Sequence, residues 1–316
     1  MRYHTRTRAM LALLLGLTAL LPACAADKPF TVVMVPDTQV YAEKFPDLFH
    51  TQTRWIRDNA AKENIVFVTH VGDIVQHGGA IKHEWKTANK AMSVLDGVVP
   101  WGVAIGNHDY DDYRKSVAGT FIKHFGPERF AAQRWYGGAS DDRLASYQFF
   151  SGGGRRFLIV HLGDDASDKA LAWAAGVLGR HRNLPTIVTT HIYLAPNGRA
   201  KKTHSARPGA NSGEQIWRKL IRRHPQIFLV LSGHFGHPSV VHQVSTNEAG
   251  GKVMEILADF QAMERGGNGW LVLLTFVPAK DQIEVRTYSP VLGKYRTDPA
   301  DAFRFPYSFV TQRSGR

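Results

Sequence analysis

Short apolar runs alternate with amphipathic stretches along this chain, and several of the runs end abruptly in a compact polar group. Phe30–Val35 is apolar except for Thr31, the composition of a strand buried on both faces. Residues 47–62 place Leu48, Trp55 and Ile56 at helical spacing, and 65–71 is a second apolar run. Residues 81–95 read as a helix and 98–105 as a third strand. This βαβαβ order predicts a largely parallel sheet. The middle is less regular: 109–140 is loop and helix rich in aromatics, and 146–150 with 155–161 predicts a hairpin across the glycines at 152–154. A helix over 170–178, a buried strand over 186–190, a helix over 214–223 and a buried strand over 227–231 follow. From Val240 onward the runs 240–244, 252–258, 270–276 and 282–287, separated by glycine-rich turns, predict an antiparallel tail. Parallel units followed by such a tail point to two sheets packed together with helices outside. The sequence contains no internal repeat, low-complexity tract or clear linker, so residues 26–316 read as one domain.

The first 25 residues read differently. Arg2, Arg6 and Arg8 precede the apolar stretch 9–21 and small residues follow, the pattern of an export signal. The stretch is too short for a comfortable transmembrane span. Two processing sites compete. Ala23-Cys24-Ala25 predicts cleavage after Ala25, while 21–24 resembles a lipobox in which Cys24 would be lipidated, although Pro22 is unusual there. Either route predicts an exported protein, periplasmic or secreted, with membrane attachment only through a lipid on Cys24.

Composition narrows the chemistry. With 44% hydrophobic and 21% charged residues the chain is ordinary for a globular protein, and its length can bury a large core without disulfides. Cys24 is the only cysteine, which excludes an intramolecular disulfide and a cysteine-based zinc site. Any metal must be held by Asp, Asn, Gln and His. The net charge of +12 favours anionic partners. The densest basic stretches, 199–207 and 218–224, lack the interleaved aromatics of a single-strand binder, so nucleic acid is unsupported as a partner. The long polar stretch 199–213 reads either as a solvated surface loop or as a loop whose Lys and Arg residues meet an anionic substrate. Oligomeric state is not legible.

The polar groups behind the apolar runs are Asp37-Thr38-Gln39, Gly72-Asp73, Gly106-Asn107-His108-Asp109, His191, and Gly233-His234-Phe235-Gly236-His237. Taken singly most are weak. An Asp behind a strand is as readily a turn former or helix cap, and a lone His is more often a satisfied core residue. Gly106–Asp109 is more specific, because three polar residues directly behind a buried strand are costly unless they bind something. In that order, the groups resemble the signature of the calcineurin-like metallophosphoesterases: Asp-x-His, Gly-Asp, Gly-Asn-His-Asp/Glu, His, then Gly-His-x-His. The resemblance covers roughly residues 30–288.

The resemblance implies an α/β fold, a four-layer sandwich of two mixed β-sheets flanked by helices. It also implies a dinuclear centre of divalent ions (Mn, Fe or Zn, with Mg or Ca as alternatives) acting on a small-molecule phosphoester. Asp73 would bridge the ions, Asp37 and Gln39 would bind the first, and Asn107, His191 and His234 the second. A hydroxide between them would attack phosphorus in line, and His108, oriented by Asp109, would protonate the leaving oxygen. Two departures stand out. Gln39 replaces the usual His, a neutral and harder donor that shifts preference away from Zn. His237 is expected as a further metal ligand, although two residues rather than one separate it from His234, which turns it to the opposite face of an extended segment unless Gly236 permits a bulge. His70, His77 and His161, near the strand ends, are candidates to support the ligands, and Asp259 or Gln261 to approach the cleft, with ordinary packing as the plainer reading of each; His204 is expected on the surface. A phosphoesterase fold that binds a ligand without turnover is the alternative reading.

Overall fold

The computed structural model describes residues 28–309; the export segment and Cys24 lie outside them. The chain begins with β1 (Phe30–Val35), α1 (Gln39–Lys44), α2 (Pro46–Asn59), β2 (Ile65–His70), α3 (Lys82–Met92) and β3 (Trp101–Val103). The middle contains α4 (Gly119–Phe125), α5 (Pro127–Phe130), β4 (Tyr136–Ala139), β5 (Ser146–Gly152), β6 (Arg155–His161), α6 (Asp168–Arg180) and β7 (Thr186–Thr189). Then come the short pair β8 (Leu194–Ala195) and β9 (Gly198–Arg199), α7 (Gly213–Lys219) and β10 (Ile227–Ser232). The chain closes with β11 (Val240–Thr246), β12 (Lys252–Ala258), β13 (Leu271–Val277), β14 (Gln282–Ser289), β15 (Lys294–Tyr295) and β16 (Ala302–Pro306).

Two mixed sheets result. The first runs β15-β14-β13-β1-β2-β3 with β16 on β14, and the second runs β11-β12-β10-β7-β6-β5-β4. β1, β2 and β3 are mutually parallel, as are β6, β7, β10 and β12. Strand alternation explains the continuous apolar runs. On β1, Val32 and Met34 pack into a core between the sheets with Phe157, Ile187 and Leu229. Val33 and Val35 face the other way, against Ile56 of α2 and Trp85 of α3. On the far side, Leu158 and Val160 of β6 pack with Leu171 of α6 and Ile216 of α7. Helices therefore cover both outer faces, giving the expected four layers.

The C-terminal third differs from the expectation. It is not one antiparallel tail: β12 pairs in parallel with β10, extending the second sheet, while β13 turns back to pair antiparallel with β1 in the first. Both sheets are thus completed by late sequence. The third strand is shorter than expected, because the chain leaves the ladder after Val103 and runs irregularly to Gly106.

Candidate metal centre

Every polar group singled out from the sequence lies just past the C-terminal end of a parallel strand: Asp37 after β1, Asp73 after β2, Asn107–Asp109 after β3, His191 after β7 and His234 after β10. Three of those strands belong to the first sheet and two to the second, so the groups meet where the sheets converge. The preceding glycines make this approach feasible. A Cβ on Gly106 would lie 2.2 Å from an Asp73 carboxylate oxygen, and one on Gly233 would lie 2.1 Å from Asp37 Oδ1. Asp73 and His234 themselves sit at φ +50° and +77°, left-handed conformations that concentrate at functional sites.

Ligand atoms of Asp73, His191 and His234 all lie within 4.8 Å of one another. His191 Nδ1 is 3.0 Å from the Val71 carbonyl, an acceptor only, so Nδ1 carries a proton and Nε2 is aimed into the cluster. That Nε2 lies 3.2 Å from Asp73 Oδ2, 3.1 Å from Asn107 Oδ1 and 3.3 Å from His234 Nδ1. The Gln39 side-chain amide donates to Asp73 Oδ2 at 3.1 Å, and the His234 backbone N–H donates to Asp37 Oδ2 at 3.1 Å. Asp37 Oδ1 and Gln39 Oε1 are buried with no hydrogen-bond partner. A buried acceptor left unpaired costs about 1–3 kcal/mol. Two of them beside converging carboxylate and imidazole donors fit the demands of divalent cations.

The electrostatics agree. Burial, reinforced by the charges of Asp259 and Asp73, pushes the Asp37 carboxyl well above the usual range. Burial also pushes Asp73 upward, but His191 and the hydrogen bond from His108 outweigh it and hold the carboxyl at about 2. Burial opposes charge on His191, yet the Asp73 and Asp37 carboxylates raise it well above the ordinary imidazole value. His234, half-buried and beside that charge, is lowered to about 3, chiefly by its loss of solvent. A protonated His191 thus supplies the positive charge this carboxylate cluster needs, a role a cation would take over with loss of that proton.

Asp109 departs from its expected role. Its carboxylate accepts from the backbone N–H groups of Ile74 (2.8 Å), Val75 (3.1 Å) and Gly106 (2.8 Å), and so braces the two ligand loops rather than the His108 ring. The His108 ring is held instead through Nδ1, 2.8 Å from the Gln76 carbonyl. Because that carbonyl can only accept, Nδ1–H is fixed and Nε2 is left for chemistry. His237, the further ligand the resemblance implied, is exposed and stands outside the cluster of Asp73, His191 and His234.

Sequence reading placed other residues unevenly. His70 supports the site as expected. It accepts from Gly72 N–H at Nδ1 (3.2 Å), so its Nε2–H donates to the Thr38 hydroxyl (2.9 Å), which donates onward to the Ile74 carbonyl (3.2 Å). Asp259 is fully buried and close enough to raise Asp37. Its oxygens accept from Gln261 at 2.8 and 2.9 Å. Arg199 and Arg207 are engaged by carboxylates of the protein itself: Arg199 forms a two-point pair with the buried Glu255, and Arg207 pairs with the buried Asp164 at 2.9 Å. His204, expected on the surface, is exposed but packs edge-to-face on His234 with ring centroids 4.9 Å apart. With Tyr113, Arg114, Ser205, Ala206 and Arg207 it lines a cleft of about 590 Å³. The only sequence signal for it was its place in the polar stretch between two ligand-bearing strands.

The same architecture is found in other proteins. The Bacillus subtilis (strain 168) protein YvnB, described as uncharacterized, is 35% identical over 277 residues, which is 85% of this chain and 21% of that protein. A dimetal phosphatase from Danio rerio superposes with a TM-score of 0.53 at 15% identity, over 88% of this chain and 99% of the other. GAP50, described as the anchor in the inner membrane complex of Plasmodium, gives 0.53 at 11% identity over 90% of each chain; at these identities both likenesses concern the fold. A family model described as calcineurin-like phosphoesterase matches residues 30–242, a span that includes every strand end from Asp37 to His234. The chain belongs to the calcineurin-like phosphoesterase family.

Proposed function

We propose that this protein is a metal-dependent hydrolase of small-molecule phosphoesters. The observation that carries the reading is the pair of buried, unpartnered oxygens on Asp37 and Gln39 beside the Asp73–His191–His234 cluster. Asp37, Gln39 and Asp73 would hold one divalent ion, and Asp73, Asn107, His191 and His234 a second. The first set is all oxygen, which favours Mn, Fe(II), Mg or Ca over Zn. When bound, such ions supply Lewis-acid polarisation of the phosphoryl group and lower the pKa of a water. His108 does the proton work of this chain: with Nδ1–H held on Gln76, a proton on Nε2 is delivered to the leaving oxygen. The cleft lined by Tyr113, Arg114 and His204 has the size of a small-molecule pocket and adjoins His234, which supports it as the place for the organic part of the ester. The N-terminal segment supports export, by cleavage after Ala25 or by lipidation at Cys24.

The test is hydrolysis of para-nitrophenyl phosphate and bis-para-nitrophenyl phosphate by metal-stripped protein, then with Mn, Fe(II), Zn, Mg or Ca added while bound metal is counted. Restored turnover with two ions per chain is the expected result, and the preferred ester separates a monoesterase from a diesterase. Two bound ions without turnover of either ester would instead favour a phosphoester-binding protein.

A further inference from the structure

We infer that Glu84, on the first turn of α3, is a positioning residue for His108: it aims the one carbonyl that holds the imidazole in its working tautomer. The inference rests on His108 acting as the proton donor. The loop that follows Asp73 has four successive backbone N–H groups taken up by two carboxylates. Asp109 accepts from Ile74 and Val75, and Glu84 Oε2 accepts from Gln76 (2.8 Å) and His77 (3.0 Å). Glu84 is 1% exposed, so its carboxylate is held in place by these partners and not by water. The critical unit is the peptide joining Gln76 to His77. Among the described residues the only cis peptide precedes Pro238, so this one is trans. In a trans peptide the C=O and N–H point in opposite directions. Anchoring the His77 N–H on Glu84 therefore turns the Gln76 C=O the other way, where it meets His108 Nδ1 at 2.8 Å. The other Glu84 oxygen lies 2.7 Å from His77 Nδ1, which keeps the carboxylate from rotating off the loop.

A neutral imidazole without that carbonyl is free to carry its proton on either nitrogen and to turn about its side-chain bonds. Loss of the Glu84 anchor should thus damage proton delivery selectively. It should weigh on esters whose leaving oxygen needs a proton and spare those whose leaving group departs as a stable anion.

The experiment compares Glu84→Ala, Glu84→Asp, Glu84→Gln and His108→Ala with the parent protein, using the para-nitrophenyl ester and the methyl ester of the same phosphate. Bound metal is counted throughout. Glu84→Ala is expected to lower kcat for the methyl ester by about 10–100-fold, to change the para-nitrophenyl ester by less than about threefold, and to leave KM and metal content unchanged. His108→Ala should show the same split, larger. Glu84→Gln, whose amide oxygen still accepts from the Gln76 and His77 N–H groups, should recover most of the loss. Glu84→Asp, which retracts the acceptor, should fall between and keeps the test open if the alanine variant folds poorly. Nitrogen-15 NMR of His108 in the metal-free protein gives a readout independent of turnover: one Nδ1–H tautomer in the parent and a mixture in Glu84→Ala. If His108→Ala shows the split but Glu84→Ala slows both esters equally, or its tautomer is unchanged, Glu84 is merely structural. If His108→Ala shows no split, the proton-donor reading fails and takes this inference with it.

Discussion

β2 and β7 each carry two buried polar layers, and the layers are built on opposite principles. In the inner layer, Thr69 of β2 and Thr189 of β7 share a hydrogen bond at 2.9 Å. His161 completes it. Its Nδ1–H donates to the Gln148 side-chain carbonyl at 2.7 Å, and its Nε2 accepts from Thr69 at 2.9 Å. Gln148 in turn donates to Ser146 at 3.0 Å. None of these side chains is left with an orphan atom. Just past the ends of the same strands, Asp73 meets His191 at 3.2 Å, and here the neighbouring Asp37 and Gln39 keep oxygens without partners. Both layers are buried, and what differs between them is hydrogen-bond closure: the inner layer is satisfied within itself, and the outer keeps acceptors free beside converging ligand atoms.

The largest expected effect tests the closed layer. His161→Ala removes a buried ring and strands both Thr69 and Gln148, and should destabilise the fold by about 3 kcal/mol in urea titrations. Metal binding should persist in the fraction that folds. Burial lowers His161 from 6.5 to about 3, so the folded state excludes a proton that the unfolded chain accepts. Its contribution is complete above about pH 6.5 and declines as the pH falls towards 3, by about 1.4 kcal/mol per unit. The variant should therefore show a shallower acid limb, and an unchanged one would mean that His161 is protonated in place. A smaller effect of opposite sign tests the open layer. Asp37→Asn replaces a buried carboxyl pushed upward by burial and by neighbouring charges. It should stabilise the metal-free protein by about 1–2 kcal/mol while lowering metal occupancy. Destabilisation without metal would make Asp37 part of the scaffold and dissolve the contrast. The smallest effect sharpens it: Gln39→His should raise zinc affinity at the first site about tenfold, read by competition with a chromophoric chelator. No change would mean that Gln39 points elsewhere.

The contrast also explains which parts of the molecule were legible in the sequence. Two sheets with helices outside followed from strand and helix periodicities, while the four layers and the ligand positions were what the resemblance of the ordered polar groups to the family signature implied. Those signals are local. What escaped depends on how distant segments meet. Glu84 sits inside an ordinary amphipathic helix, and nothing in its spacing says that it reaches back to the loop at 74–77. His204 lies in a loop whose path is set by buried Asp164 and Asp165, which hold Arg207 and the Ser205 N–H. Arg199 looked available to an anion because its partner Glu255 is 56 residues away. Asp109 was assigned to its sequence neighbour His108, whereas a side chain one residue along faces elsewhere and finds the backbone of another loop. For His237 the spacing raised a question, and its exposure outside the cluster is the answer.

The pairing of β1 with β13 matches Phe30 with Phe276, so the strand that delivers Asp37 lies beside one made some 240 residues later. Until that stretch has emerged, β1 has an open edge that is apolar but for Thr31, the kind that recruits strands from other chains. The first carboxylate of the site therefore comes to rest late in folding. Shortening the chain from its far end would endanger solubility before it touched any residue of the metal centre.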